Sequence, residues 1–120
     1  MLTVSRFFRC LSDETRLRCV MLVHREGELC VCELSAALNL SQPKISRHLA
    51  LLRQSGLLID SRDGQWVLYQ VNPDLPEWAV VLLNDSLAAV QSSEQFETDR
   101  ERLRSVARMP VSPRQFLTEG

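Results

Sequence analysis

A chain of 120 residues with a formal charge of −1, 24% charged and 45% hydrophobic side chains suits one small domain, or a subunit completed by a partner, and is too apolar to be disordered throughout. The near-neutral balance excludes a globally basic nucleic-acid-coating protein, so any affinity for DNA must be local. No run of about 18 apolar residues occurs, and Asp13 and Glu14 follow a short, interrupted apolar start; a membrane span and a signal peptide are therefore not expected, the protein is placed in the cytoplasm, and its four cysteines are expected as free thiols, ligands or core residues.

In chain order, Leu2–Leu11 reads as a first helix with Phe7, Phe8 and Leu11 on one side. Ser12 or Asp13 caps a second, in which Leu17, Val20, Met21 and Val23 or His24 recur at helical spacing from Glu14 to about Arg25, and Gly27 ends it. Residues 31–38 form a third, short helix, closed by Asn39 and Leu40. Ser41 is the next N-cap. Pro43 falls in the first turn, where a missing N–H costs little, and Ile45, Leu49 and Leu52 face inward up to Gly56. The third and fourth helices make a helix-turn-helix. Leu57–Ser61 and Gln65–Val71 then flank Arg62-Asp63-Gly64, a hairpin signal that predicts a two-stranded wing.

A long helix starts near Leu75 or Pro76, and its apolar residues, Trp78 through Val90, cover more than one face. Subunit pairing is the natural way to cover them, a deep core position in a monomer being the alternative. The fold class is thus mainly α with a small β-hairpin, a winged helix-turn-helix, with residues 1–93 as the DNA-binding and dimerisation domain. Residues 94–120 are a charged C-terminal extension, helical in part over Glu94–Arg108, with a tail from Met109 that Pro110 and Pro113 mark as extended or disordered.

Between Glu33 and Asp60 no acidic residue occurs, while Lys44, Arg47, His48 and Arg53 all fall there. With Ile45, Leu49 and Leu52 inward, Pro43 and Arg47 point away from the core and Lys44 and Ser46 flank them. Gln42 lies at the helix start, the part of a recognition helix that reaches base edges. Ser41, Gln42, Lys44, Ser46, Arg47 and His48 are therefore the candidate DNA contacts, joined by Arg62 and Gln65 at the wing tip. A solvated face is the competing reading, strongest for His48 as a boundary residue and for the polar turn; Arg53 is as easily an intramolecular partner.

Three segments in order and spacing, Ser12-Asp13-Glu14-Thr15-Arg16-Leu17, Glu28-Leu29-Cys30-Val31-Cys32-Glu33-Leu34 and Leu40-Ser41-Gln42-Pro43-Lys44-Ile45-Ser46-Arg47-His48-Leu49, closely resemble the arsenic-sensing ArsR-type winged-helix repressors over about residues 2–90. The resemblance implies a homodimer formed by the first helix and the helix after the wing, bound to double-stranded operator DNA with an inverted repeat. It also implies release when trivalent arsenic or antimony binds Cys30 and Cys32. Two departures matter. Many members carry a third cysteine three positions after the second, where this chain has Ser35, and the long helix lacks the histidines that zinc-sensing relatives use.

The chemistry of the residues agrees. Thiolates select soft ions and discriminate against calcium and magnesium, leaving trivalent arsenic, antimony, zinc or copper(I). Structural zinc wants four ligands, whereas a pyramidal trivalent metalloid needs three, so two thiolates plus water, a small thiol or another cysteine suffice. Cys10, from its own or the partner chain, is a candidate for that third ligand against a competing and stronger reading as core or boundary packing, and Cys19, beside Val20 and Met21, is expected as core packing. Residues two apart on a helix project about 200° from each other, so chelation by Cys30 and Cys32 at the start of the third helix is expected to distort the backbone. A regulator sensing oxidants or another soft metal through these thiols is the alternative, although a direct Cys30–Cys32 disulfide would close a strained ring. No Ser/His/Asp set, paired carboxylates, phosphate-cradling loop or Cys-x-x-Cys motif is found, so neither catalysis nor an organic cofactor is expected.

Overall fold

The computed structural model describes residues 2–107. In chain order it runs α1 (Val4–Leu11), α2 (Glu14–Glu26), β1 (Leu29–Cys30), α3 (Val31–Leu38), α4 (Gln42–Ser55), β2 (Leu58–Asp63), β3 (Trp66–Val71), α5 (Glu77–Val90) and α6 (Glu94–Ala107). Each early helix starts where its side chains supply the missing acceptor: Thr3 Oγ1 accepts from the Arg6 N–H, Asp13 from Arg16 at 3.0 Å and Ser41 from Lys44 at 3.4 Å. Gly27 and Gly56 end α2 and α4 at φ of 95° and 89°, a region that side chains with a Cβ rarely adopt.

Helix α2 is the centre of the core, with Cys19, Val20, Met21, Leu22 and Val23 all buried in succession. Ile45, Leu49 and Leu52 of α4 pack into the same cluster, as the inward stripe read from the sequence requires. On α1 the buried residues are Phe7 and Cys10, whereas Phe8 is 55% exposed, so the side expected to carry Phe7 and Phe8 together is divided. The cause is Trp78 of α5, whose ring meets Phe7 edge-on at 5.5 Å and fixes which face of α1 turns inward.

Two expectations about the wing are corrected. The hairpin turn is Gly64-Gln65, with strands reaching to Asp63 and from Trp66, because Gly64 takes φ 63° at the first turn position, the pattern of a two-residue type II′ turn. The sheet also has three antiparallel strands in the order β1-β3-β2, rather than the two of a simple hairpin. Leu29 pairs with Tyr69 and Cys30 with Leu68, which joins the segment before α3 to the wing through main-chain bonds.

The charged segment after residue 93 begins with α6. Helix α6 lies against α3 and puts Phe96 and Leu103 into the common core. Asp99, with no exposed surface, takes both ends of the Arg18 guanidinium at 2.8 and 3.0 Å and a further bond from Gln95. The tail from Met109, with Pro110 and Pro113, lies outside the described residues.

Candidate nucleic-acid interface and thiol site

The thiol pair is assembled by the end of one element and the start of the next. Cys30 closes β1 in extended conformation, φ −91° and ψ 166°, and is at the same time the N-cap of α3. Its Sγ lies 2.7 Å from Sγ of Cys32, and both cysteines are free thiols. The two thiols thus already face each other without unwinding of α3. The opposed projection holds only for two helical residues, and Cys30 stands just outside the helix, where the extended backbone turns its thiol toward the first turn.

Glu33 holds that geometry. Its fully buried carboxylate reaches back to accept the Cys30 N–H at 3.0 Å, one arm of a capping box. In the sequence Glu33 stands out only as the last acidic residue before Asp60. The available signal was its spacing, Cys30-x-x-Glu33, three residues apart as a capping box requires. Burial, followed by the contact with Cys32 and the nearby negative charge of Glu33, pushes the Cys30 thiol well above its usual range. Burial thus favours the protonated form of Cys30, while half-buried Cys32 is open to solvent.

A cavity of about 240 Å³ opens on the pair, lined by Cys30, Val31, Cys32, Gln42, Gln65, Trp66 and Val67. It brings together the two thiols, the first residue of α4 and the wing turn, three regions read from the sequence as separate. Cys10 does not join them within the chain: it lines a different cavity, between α1, α2 and α4. Ser35, at the position where a third thiol is absent, donates its hydroxyl to the Leu40 carbonyl at the opposite end of α3. Among the described residues no group of three or more His, Cys, Asp or Glu is placed to hold a metal ion. Cys19 is fully buried, and desolvation pushes its thiol up to about 12.

Ser41, Gln42, Lys44, Ser46 and Arg47 are all exposed along the first half of α4, and Arg62 and Gln65 are exposed at the hairpin end. His48 is placed differently. Its Nδ1 lies 3.4 Å from the Arg16 guanidinium and 4.0 Å from Asp13, under α4 rather than on its outer face, and burial lowers its pKa. Arg53 pairs with Asp60 of β2 at 3.2 Å. Among the described residues the exposed large apolar side chains are Val4 and Phe8 on α1, Leu51 on α4 and Val80 and Val81 on α5.

Comparison with known proteins gives these features a context. Residues 13–60 match the model for bacterial regulatory proteins of the arsR family. The chain is 51% identical over 112 residues to the arsenic resistance transcriptional regulator ArsR1 of Pseudomonas putida, spanning 93% of this chain and 86% of that one. It is 51% identical over 90 residues to the arsenical resistance operon repressor of Escherichia coli K12, spanning 75% of this chain and 77% of the other. Among solved structures, the AntR antimony-specific transcriptional repressor superposes with a TM-score of 0.62 at 28% identity, covering 77% of this chain and 80% of AntR. With half its residues shared over most of both sequences and the winged-helix architecture in place, the chain belongs to the ArsR family of bacterial regulatory proteins.

Proposed function

We propose that this protein is a metalloid-responsive transcriptional repressor that leaves its operator when trivalent arsenic or antimony binds Cys30 and Cys32. The observation that carries the reading is the thiol pair, 2.7 Å apart, opening into a cavity whose other walls are Gln42 and Gln65. The relatives named for arsenic resistance and antimony specificity support the same inducer class.

In the DNA-bound state α4 enters the major groove, with Gln42, Lys44, Ser46 and Arg47 toward base edges and phosphates, Ser41 at the helix cap and Arg62 and Gln65 on the flanking backbone. His48 backs α4 from beneath. The protein acts in the cytoplasm as a homodimer through α1 and α5, a reading supported by exposed Val4, Phe8, Val80 and Val81. Two copies related by a twofold axis match an inverted repeat. No described helix is long and apolar enough to cross a membrane.

Release begins as ligand exchange. Arsenous acid, a trihydroxide, meets Cys32 and then Cys30; two arsenic–oxygen bonds break, two arsenic–sulfur bonds form, and each thiol proton leaves with a hydroxide as water. Arsenic stays trivalent and keeps one hydroxide, which a small thiol or a third cysteine can replace. Within one chain Cys10 is not placed for that role, which leaves the partner chain's copy or a solution thiol. The product fills the cavity that Gln42 and Gln65 line. It also pulls on Cys30, bonded to β3, and on Cys32 in the first turn of α3, so wing and recognition helix shift together.

The test is release, by arsenite, of a duplex that the wild-type protein selects from a randomised pool. Cys30→Ser and Cys32→Ser, singly or together, are expected to keep the apo affinity and lose release or need far more arsenite, while Cys19→Ser responds like wild type. A double variant that dissociates at the wild-type dose places the sensor elsewhere. Release by peroxide without release by arsenite replaces this reading with oxidant sensing.

A further inference from the structure

Helix α1 has three different faces. Phe7 and Cys10 are buried, Val4 and Phe8 are exposed apolar residues one turn apart, and Arg6 and Arg9, three apart, lie on the side opposite Val4 and Phe8. That basic face borders a cavity of about 300 Å³ lined by Arg6, Arg9 and Cys10 of α1, Arg16 of α2, and Leu51, Gln54 and Ser55 of α4. Three guanidiniums line it, and among the described residues no carboxylate does. Asp13, which attracts Arg16, caps α2 instead.

Arg16 is held rigidly. Its Nε donates to the Cys10 carbonyl at 3.0 Å and its Nη2 to the Arg9 carbonyl at 3.3 Å. Neither α1 nor α4 contains an acidic residue. The α4 wall continues the reading face: Leu51 and Gln54 follow Arg47 at i+4 and i+7, so they lie behind it on the same side of the helix. Arg16, Lys44 and Arg47 all act against a positive charge on His48, and the nearest opposing charge is Asp13, which lies 4.0 Å from the ring and outside the cavity lining. A protein with a formal charge of −1 thus concentrates cationic groups on one surface formed by two acid-free helices.

We infer that this cavity seats a backbone phosphate of duplex DNA, held by Arg6 and Arg9 from α1 and by Gln54 from α4, so that the DNA footprint runs from the wing across α4 onto the first helix. Phosphate fits better than a carboxylate ligand because the cavity lies on the groove-facing side of α4, where a docked duplex brings its backbone alongside. Guanidiniums around an exposed Leu51 suit a phosphate rather than the edge of a particular base. The contact adds affinity without sequence preference. The inference rests on the repressor reading only in taking DNA as the partner; it is independent of the thiols.

The experiment measures binding of the selected duplex and of a scrambled duplex between about 50 and 200 mM salt. Arg9→Ala and Arg6→Ala are expected to weaken both duplexes by the same factor, and each to reduce the slope of log affinity against log salt by about one. Arg9→Lys keeps the wild-type slope. If alanine lowers helicity, Arg9→Gln against Arg9→Lys compares charge at similar length, and equal slopes overturn the proposal. Unchanged slopes in folded alanine variants overturn it, and so does a loss confined to the selected duplex, which would mean base readout. Resonance shifts on titrating inorganic phosphate, with the DNA slopes unchanged, make the cavity a small-anion site and also overturn it. Wild-type protein that selects no duplex removes the repressor reading itself, an outcome distinct from all of these.

Discussion

The two ends of α3 are built in opposite ways. At the N-terminus an extended cysteine and a half-buried one meet over an open cavity, held by one buried glutamate and a two-residue strand pairing. At the C-terminus Asn39 turns left-handed at φ 57°, Ser35 bonds to the Leu40 carbonyl, and Arg18 ties the Leu38 carbonyl to Asp99 of α6. One end carries chemistry and the other is anchored. On the mechanism proposed above, binding at the thiols moves the near end about an anchored far end and acts on the wing and the start of α4, which line the same cavity.

The anchored end should show the largest effect on stability. Asp99→Ala strips a buried guanidinium of its partner, and loss of one member of such a pair costs about 3–5 kcal/mol, discounted toward the lower figure because the Arg18 side chain is 17% exposed. Urea denaturation should give a much lower midpoint with arsenite binding by the remaining folded protein retained. A loss under about 1 kcal/mol would mean that α6 does not anchor α3.

At the reactive end the expected change is kinetic. Glu33→Gln keeps an acceptor for the Cys30 N–H and removes a negative charge from beside its thiol, while the dominant cause of the raised pKa, burial, stays. Alkylation of Cys30 at neutral pH should speed up only about two- to fivefold. A change of a hundredfold would make charge, not burial, the controlling factor.

These two ends also differ in how legible they were. The start of α4 could be read because its signals are local: Ser41 caps, Pro43 fits the first turn, and the apolar residues repeat at one period. The helix-turn-helix, the hairpin and the amphipathic α4 followed from such cues, and the thiols were singled out by their spacing. Their convergence was not legible, because Cys30 is extended only through its pairing with Leu68 and its bond to Glu33, and two residues are too few to show a strand period. Residues 94–107 looked like a charged appendage for a related reason. The one carboxylate of this segment that is buried, Asp99, finds its partner 81 positions earlier, a distance at which sequence patterns say nothing.

The smallest effect concerns His48, which belongs to neither end and serves as the reference for the anchoring of α4. Burial holds its folded pKa below the ordinary 6.5, so its neutral form stabilises the fold fully above that pH, and the contribution is lost as pH falls through the folded value. Lowering pH from about 7.5 to about 5.5 should cost wild type roughly a degree or two more in Tm than His48→Gln. Equal losses would show that α4 is insensitive to this ring.

The pairing of Cys30 with Leu68 has a consequence for how such a protein can change over generations. A path carried by main-chain atoms is blind to the identity of the side chains along it, so most replacements in β3 leave the link between sensor and wing standing while the residues facing DNA and ligand are free to vary. Only a change that removes an amide or slips the register, such as a proline at a bonded position of β3, cuts it. Sensor and reader can therefore diversify separately while the connection between them persists.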